Sequence, residues 1–131
     1  MTGLDTNVLV RYMAQDDAAQ AARATRLIER ELSEREPAFI GRLVLVETCW
    51  VLERLYGATT AELRDTVRDL LDTRQFVIEQ RTVVLRAVAR LGDGAGDLAD
   101  ALIAEGAVRA GCARTVTFNK QGLRLGMELL K

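Results

Sequence analysis

Ala38-Phe39-Ile40-Gly41 is a short apolar run that follows the chain's only proline, Pro37, and leads almost at once into Leu43-Val44-Leu45-Val46-Glu47-Thr48-Cys49-Trp50-Val51-Leu52. The first piece reads as a short buried strand. The second, carried on to Tyr56 and ended by Gly57, reads as a helix. A strand that hands over to a helix, with no hairpin turn between them, is the building unit of an α/β domain. The alternation continues in both directions. Upstream, the apolar start Met1 to Leu4 precedes the helical run Val8-Leu9-Val10-Arg11-Tyr12. Ala18, Ala22, Leu27 and Ile28 then mark an amphipathic helix within Asp16 to Glu36. Downstream, Thr59-Thr60-Ala61-Glu62 fits a capping box, with Thr59 as the cap, that opens a helix through about Arg74. Phe76-Val77-Ile78 reads as a strand and Val83 to Leu91 as a helix. Gly92-Asp93-Gly94-Ala95-Gly96 reads as a flexible loop. Asp97 to Ala110 is a helix that Gly111 can end, and two strands follow, Thr115 to Phe118 and Met127 to Leu130.

This pattern predicts an α/β fold: one domain over residues 1–131, with helices on both faces of a short, mainly parallel central sheet of four to five strands. Ligands of such sheets bind at the carboxyl ends of the strands. Asp5 and Asn119 each follow a predicted strand and are expected at the same sheet edge.

Composition removes much chemistry. The chain has no histidine, so imidazole acid–base catalysis, histidine-ligated zinc and serine–histidine–aspartate triads are impossible. Its only serine, Ser33, sits in the polar run Arg30 to Glu36. Cys49 and Cys112 each stand alone in apolar segments and read as buried free thiols. Carboxylate, amide, hydroxyl and arginine remain, and oxygen ligands of that kind suit hard ions such as Mg²⁺ or Mn²⁺. A net charge of −1 shows no overall electrostatic footprint for nucleic acid, although a nuclease can neutralise phosphate locally with metal ions. No apolar run reaches the roughly 20 residues that span a bilayer, and Asp5 and Asn7 interrupt any secretory pattern; a cytoplasmic protein without membrane contact is the expectation.

Three acids interrupt apolar stretches. Asp5 closes the apolar start and doubles as an N-cap for the helix after it, with Thr6 and Asn7 as further caps or as partners that orient it. Glu47 lies in a helix that is apolar on nearly every side, so burial beside Val44 and Val51 is expected, with either a cation or an arginine as its partner. Asp100 shares a face with Ile103, Ala104 and Ala107. Asp97, one turn earlier, caps that helix and can point at the same spot. Crowded carboxylates repel one another, and a divalent cation removes the cost.

In order, Leu4-Asp5-Thr6-Asn7-Val8-Leu9, Val46-Glu47, Ala99-Asp100-Ala101-Leu102-Ile103-Ala104 and Thr117-Phe118-Asn119 resemble the motif series of the PIN-domain family. The likeness is nearest to the VapC-type toxins of bacterial toxin–antitoxin pairs and covers essentially the whole chain. It implies a PIN-like, Rossmann-like α/β/α sandwich with metal-dependent endoribonuclease activity on structured RNA, often transfer RNA. By the resemblance, Asp5, Glu47 and Asp100 hold Mg²⁺ or Mn²⁺, Asp97 is a supplementary acid, and Thr6, Asn7, Thr117 and Asn119 support them. It also implies a homodimer and a cognate VapB-like antitoxin whose tail covers the site. One position departs from the pattern: Asn119 stands where the family commonly has Asp, which removes a negative charge and puts a second ion in doubt.

Three rivals share parts of this reading. A receiver-like Mg²⁺-binding signalling module would want two adjacent acids after the first strand, where this chain has Asp5-Thr6. A phosphatase with Asp5 as nucleophile would want an acid where Asn7 stands. A binding-only PIN-like protein, silenced by Asn119, differs from the enzyme only in activity.

Overall fold

In the computed structural model, which describes residues 1–91 and 97–131, strands and helices alternate from the first residues onward. The glycine-rich segment read as a loop, 92–96, lies outside the described residues. Strand β1 (Thr2–Gly3) is followed by α1 (Thr6–Ala14) and α2 (Ala18–Arg26), and a π-helical turn extends α2 through Leu27–Glu31. Strand β2 (Ala38–Ile40) follows Pro37 and leads to α3 (Arg42–Tyr56) and α4 (Thr60–Asp72). Strand β3 (Phe76–Ile78) leads to α5 (Arg81–Ala89), and α6 (Leu98–Arg109) lies beyond the undescribed segment. The chain closes with β4 (Val116–Thr117), a 3-10 helix over Lys120–Leu125 and β5 (Glu128–Leu129).

β1, β2 and β3 pair in parallel in that order, with Thr2 opposite Ala38 and Ala38 opposite Phe76. Two helices bridge each pair of neighbouring strands, as a parallel connection requires. The five strands do not form one sheet of four to five. Among the described residues the main sheet has three strands, and β4 and β5 make a separate parallel pair. β4 and β5 bond to each other and not to β1, β2 or β3. Asp5 and Asn119 therefore follow strands of different sheets.

The core sits between the main sheet and its helices. Leu9, Ile28, Ile40, Leu45 and Val84 are almost completely buried there. Removing one such side chain costs about 2–5 kcal/mol, because the cavity left behind closes only in part. Helix ends follow local chemistry. Thr59 and Glu62 form the reciprocal capping box that opens α4. Gly57 ends α3 in the left-handed region at φ 66°, where a Cβ would be strained. α3 departs from expectation: only Leu45, Thr48 and Cys49 on it are buried, whereas Leu43 and Leu55 are 79% and 74% exposed. Cys112 is exposed as well, contrary to the buried thiol expected; Cys49 is buried.

Candidate active site

α1 begins at Thr6, and Asp5 is its N-cap: a carboxylate oxygen of Asp5 accepts from the Thr6 backbone N–H at 2.7 Å. This fixes Thr6, whose side chain is buried. The Thr6 hydroxyl then donates to Glu47 Oε1 on α3 at 2.9 Å, so the end of β1 and the middle of α3 are joined by one polar contact. Glu47 itself is exposed, not buried. The apolar residues around it led to the opposite expectation, but several of them face outward too.

Across from Glu47, α6 opens with a second capping box. Asp97 accepts from the Asp100 N–H at 2.9 Å, and Asp100 accepts from the Asp97 N–H at 3.5 Å. The two carboxylates are thereby held as neighbours at the positive end of a helix. Burial, and after it the charge of Asp97, push the Asp100 carboxyl above the usual carboxylate range. The buried Cys49 thiol, pushed up to about 12, is dominated by burial, with the charges of Asp97 and Glu53 adding to it. α3 and α6 thus bring their acids to bear on the same volume.

That volume is a cleft of about 580 Å³, lined among others by Glu47, Cys49, Trp50, Glu53, Thr60, Asp97, Asp100 and Gln121. None of these lining side chains is basic. Among the described residues, Asp5, Glu47, Asp97 and Asp100 also take part in no ion pair with arginine or lysine. Among the described residues no arginine pairs with Glu47; its hydrogen-bond partner is Thr6.

The remaining expected site residues are dispersed. Asp5 does not line the cleft and is linked to it by the Thr6–Glu47 hydrogen bond. Asn7 lines a second pocket of about 340 Å³ between α1 and α2, with Arg11 and Arg23. Arg11 is engaged by Asp16 at 3.3 Å and by Gln20 at 2.9 Å. The Thr117 hydroxyl accepts from the Asn119 N–H, and the Asn119 side chain accepts from the Gln121 N–H, so both residues shape the start of the 3-10 helix. Glu53, Thr60 and Gln121 were not singled out from the sequence. For Glu53 a signal existed: Glu47, Trp50 and Glu53 recur at three-residue steps, which share one side of a helix.

The chain matches the PIN domain family over residues 4–126. It belongs to the PIN-domain family. PIN domains are generally metal-dependent nucleases that use divalent ions, so membership carries a nuclease-type, hydrolytic function. No match was found among curated proteins. The donors of this PIN domain fit such an ion in chemistry, being carboxylate, hydroxyl and amide oxygens. Among the described residues, no three acidic or thiol side chains stand close enough to form a cage. Mg²⁺ does not need one, since it commonly takes one or two carboxylates and keeps several waters. The strained Asp97–Asp100 pair is the part of the donor set that a cation would relieve most. Among the described residues, no helix of this PIN domain is long and apolar enough to cross a membrane.

Proposed function

We propose that this chain, as a single PIN-like domain over residues 1–131, is a Mg²⁺-dependent endoribonuclease, with Mn²⁺ as an alternative ion. Its substrate is structured RNA, transfer RNA or similar. It acts as the toxin of a VapBC-type toxin–antitoxin pair, is cytoplasmic and homodimeric, and is held silent by a cognate VapB-like antitoxin. The observation that carries this reading is a cleft in a PIN domain that Glu47, Glu53, Asp97 and Asp100 line, with no basic residue among the described lining residues.

Glu47 and Asp100 on the two walls, with Asp5 at the adjoining strand end, would hold the ion, in part through water. A divalent ion there supplies charge neutralisation at the phosphodiester and lowers the pKa of a bound water. The chain's own groups do the rest. Thr6 holds Glu47 in one orientation, ready to take a proton from the water that attacks phosphorus as the bond from phosphorus to the leaving oxygen breaks, that oxygen taking its proton from solvent. Asp97 fixes Asp100 through the capping box and adds negative charge beside it. Asn119 brings an amide oxygen already engaged by the Gln121 N–H, which supports a site for one ion over a site for two.

The test uses purified protein, freed of any bound inhibitor, incubated with total cellular RNA with and without EDTA, followed by mapping of new RNA ends. Discrete cuts that need the divalent ion, and that Asp5→Asn and Asp100→Asn each remove, are expected. Variants that cut like the parent would end the proposal. A protein that binds RNA but never cuts it would be the binding-only alternative.

A further inference from the structure

Trp50 is the chain's only tryptophan, yet its side chain is 53% exposed. Its ring lines the carboxylate cleft beside Glu47, one turn earlier on α3. One turn later, the Arg54 guanidinium lies over the ring, 3.5 Å from its centroid. Trp50 is among the residues that line the cleft and Arg54 is not. A cation–π contact of this kind fixes the ring's orientation.

A rigid indole surface beside a phosphodiester-cutting centre is a platform for an unstacked nucleobase. Trp50 lies three residues beyond Glu47, about 4.5 Å along the helix axis. A nucleotide whose phosphate meets Glu47 can therefore carry its base over the ring. Thr60 and Gln121, which line the same cleft, supply donors and acceptors for the edge of that base. We infer that Trp50 is a specificity-determining residue: its ring stacks one unpaired base of the bound RNA, purines preferred for their larger face, with Arg54 on the opposite face of the ring. The inference rests on the ribonuclease reading above for the presence of RNA in the cleft.

The single tryptophan makes the contact directly visible. Short single-stranded RNA, purine-rich or pyrimidine-rich, is titrated in Mg²⁺ into protein carrying Asp5→Asn, since Asn retains the helix cap. Binding is read by anisotropy of end-labelled RNA and stacking by tryptophan emission. The expected result is quenching that tracks binding, stronger for the purine-rich strand and absent for the same sequence as a duplex. On that background Trp50→Ala weakens single-strand binding roughly 10- to 100-fold, while Trp50→Phe, which keeps a stacking face, retains most of it. Because the residue is half exposed, neither change threatens the fold.

RNA binding with unchanged emission, Trp50→Ala affinity equal to the parent's, or no binding at all overturns the inference. So does a Trp50→Ala protein that loses self-association but keeps its RNA affinity, which would make the ring a protein–protein contact. The two readings separate cleanly. Otherwise unmodified protein that cuts RNA equally well with and without Trp50 keeps the nuclease and loses the platform. Quenching by an RNA that no divalent ion causes to be cut keeps the platform and loses the nuclease.

Discussion

The two walls of the cleft hold their carboxylates in opposite ways. On α3, Glu47 accepts a hydrogen bond from a neutral hydroxyl, Thr6, itself fixed by the cap at Asp5. On α6, Asp97 and Asp100 brace each other: each carboxylate accepts from the other residue's backbone N–H, with a like charge beside it. Both arrangements fix geometry. On α6 the Asp100 carboxyl is also held above its ordinary range, through burial first and the neighbouring charge second. Orientation and charge strain are thus separable properties of one cleft, and substitutions on the two walls should separate them.

The largest effect is expected where both walls lose charge chemistry outright. Glu47→Gln and Asp100→Asn should each lower Mg²⁺-dependent RNA cleavage roughly 100-fold or more, since each removes a negative group from the reacting centre. Initial rates on a defined RNA check this, and equal residual activity with and without EDTA would show that the remainder is not the same reaction. A smaller loss should follow from disturbing orientation alone. Thr6→Val keeps the shape but releases Glu47, and a drop of roughly 10- to 100-fold in rate is expected, with Thr6→Ser close to the parent. If Thr6→Val matched the parent, the α3 wall would owe nothing to its hydroxyl partner.

On α6 the contrast lies between stability and charge. Asp97→Ala removes the cap and should cost about 1 kcal/mol in denaturant unfolding, whereas Asp97→Asn keeps the cap and should cost much less. Asp97→Asn should also lower the Asp100 pKa, followed by carboxyl NMR, though only part of the way, because burial remains the larger cause. The smallest effect concerns pH in the presence of EDTA. A raised folded-state pKa contributes stability that is complete below the unfolded pKa and is lost as pH rises through the folded one. At neutral pH Asp100→Asn should therefore melt slightly above the parent, and the gap should close as pH falls through the Asp100 titration. A gap that widens on acidification would mean the α6 wall carries no charge strain.

Much of the fold was legible because local rules and tertiary structure agree. Pro37 does bound β2, Gly57 does end α3, Thr59 and Glu62 do form their box, and Asp97 does cap α6. The partition of strands was not legible. Apolar runs such as Val116–Thr117 show that a segment can pair but not with which neighbour, and here the neighbour is β5. Burial on α3 failed for a related reason: an apolar helix pattern does not say whether every face meets protein, and Leu43, Trp50 and Leu55 do not. Of the candidate site, Glu47 and Asp100 could be found because a carboxylate interrupting an apolar run is conspicuous. Gln121 could not, since it reaches the cleft only through a 3-10 helix that the sequence does not announce.

α3 is fastened at both of its ends. Near the start, the Arg42 backbone N–H donates to Glu79 at 2.9 Å, just past β3. At the finish, the Tyr56 hydroxyl donates to Asp16, between α1 and α2. This side of the cleft is therefore tied at one end to the sheet and at the other to the turn between α1 and α2. The opposing wall is fastened as well, because Arg90 at the end of α5 pairs with Glu105 of α6 at 2.9 Å, so the width of the cleft is set by side chains that lie outside it.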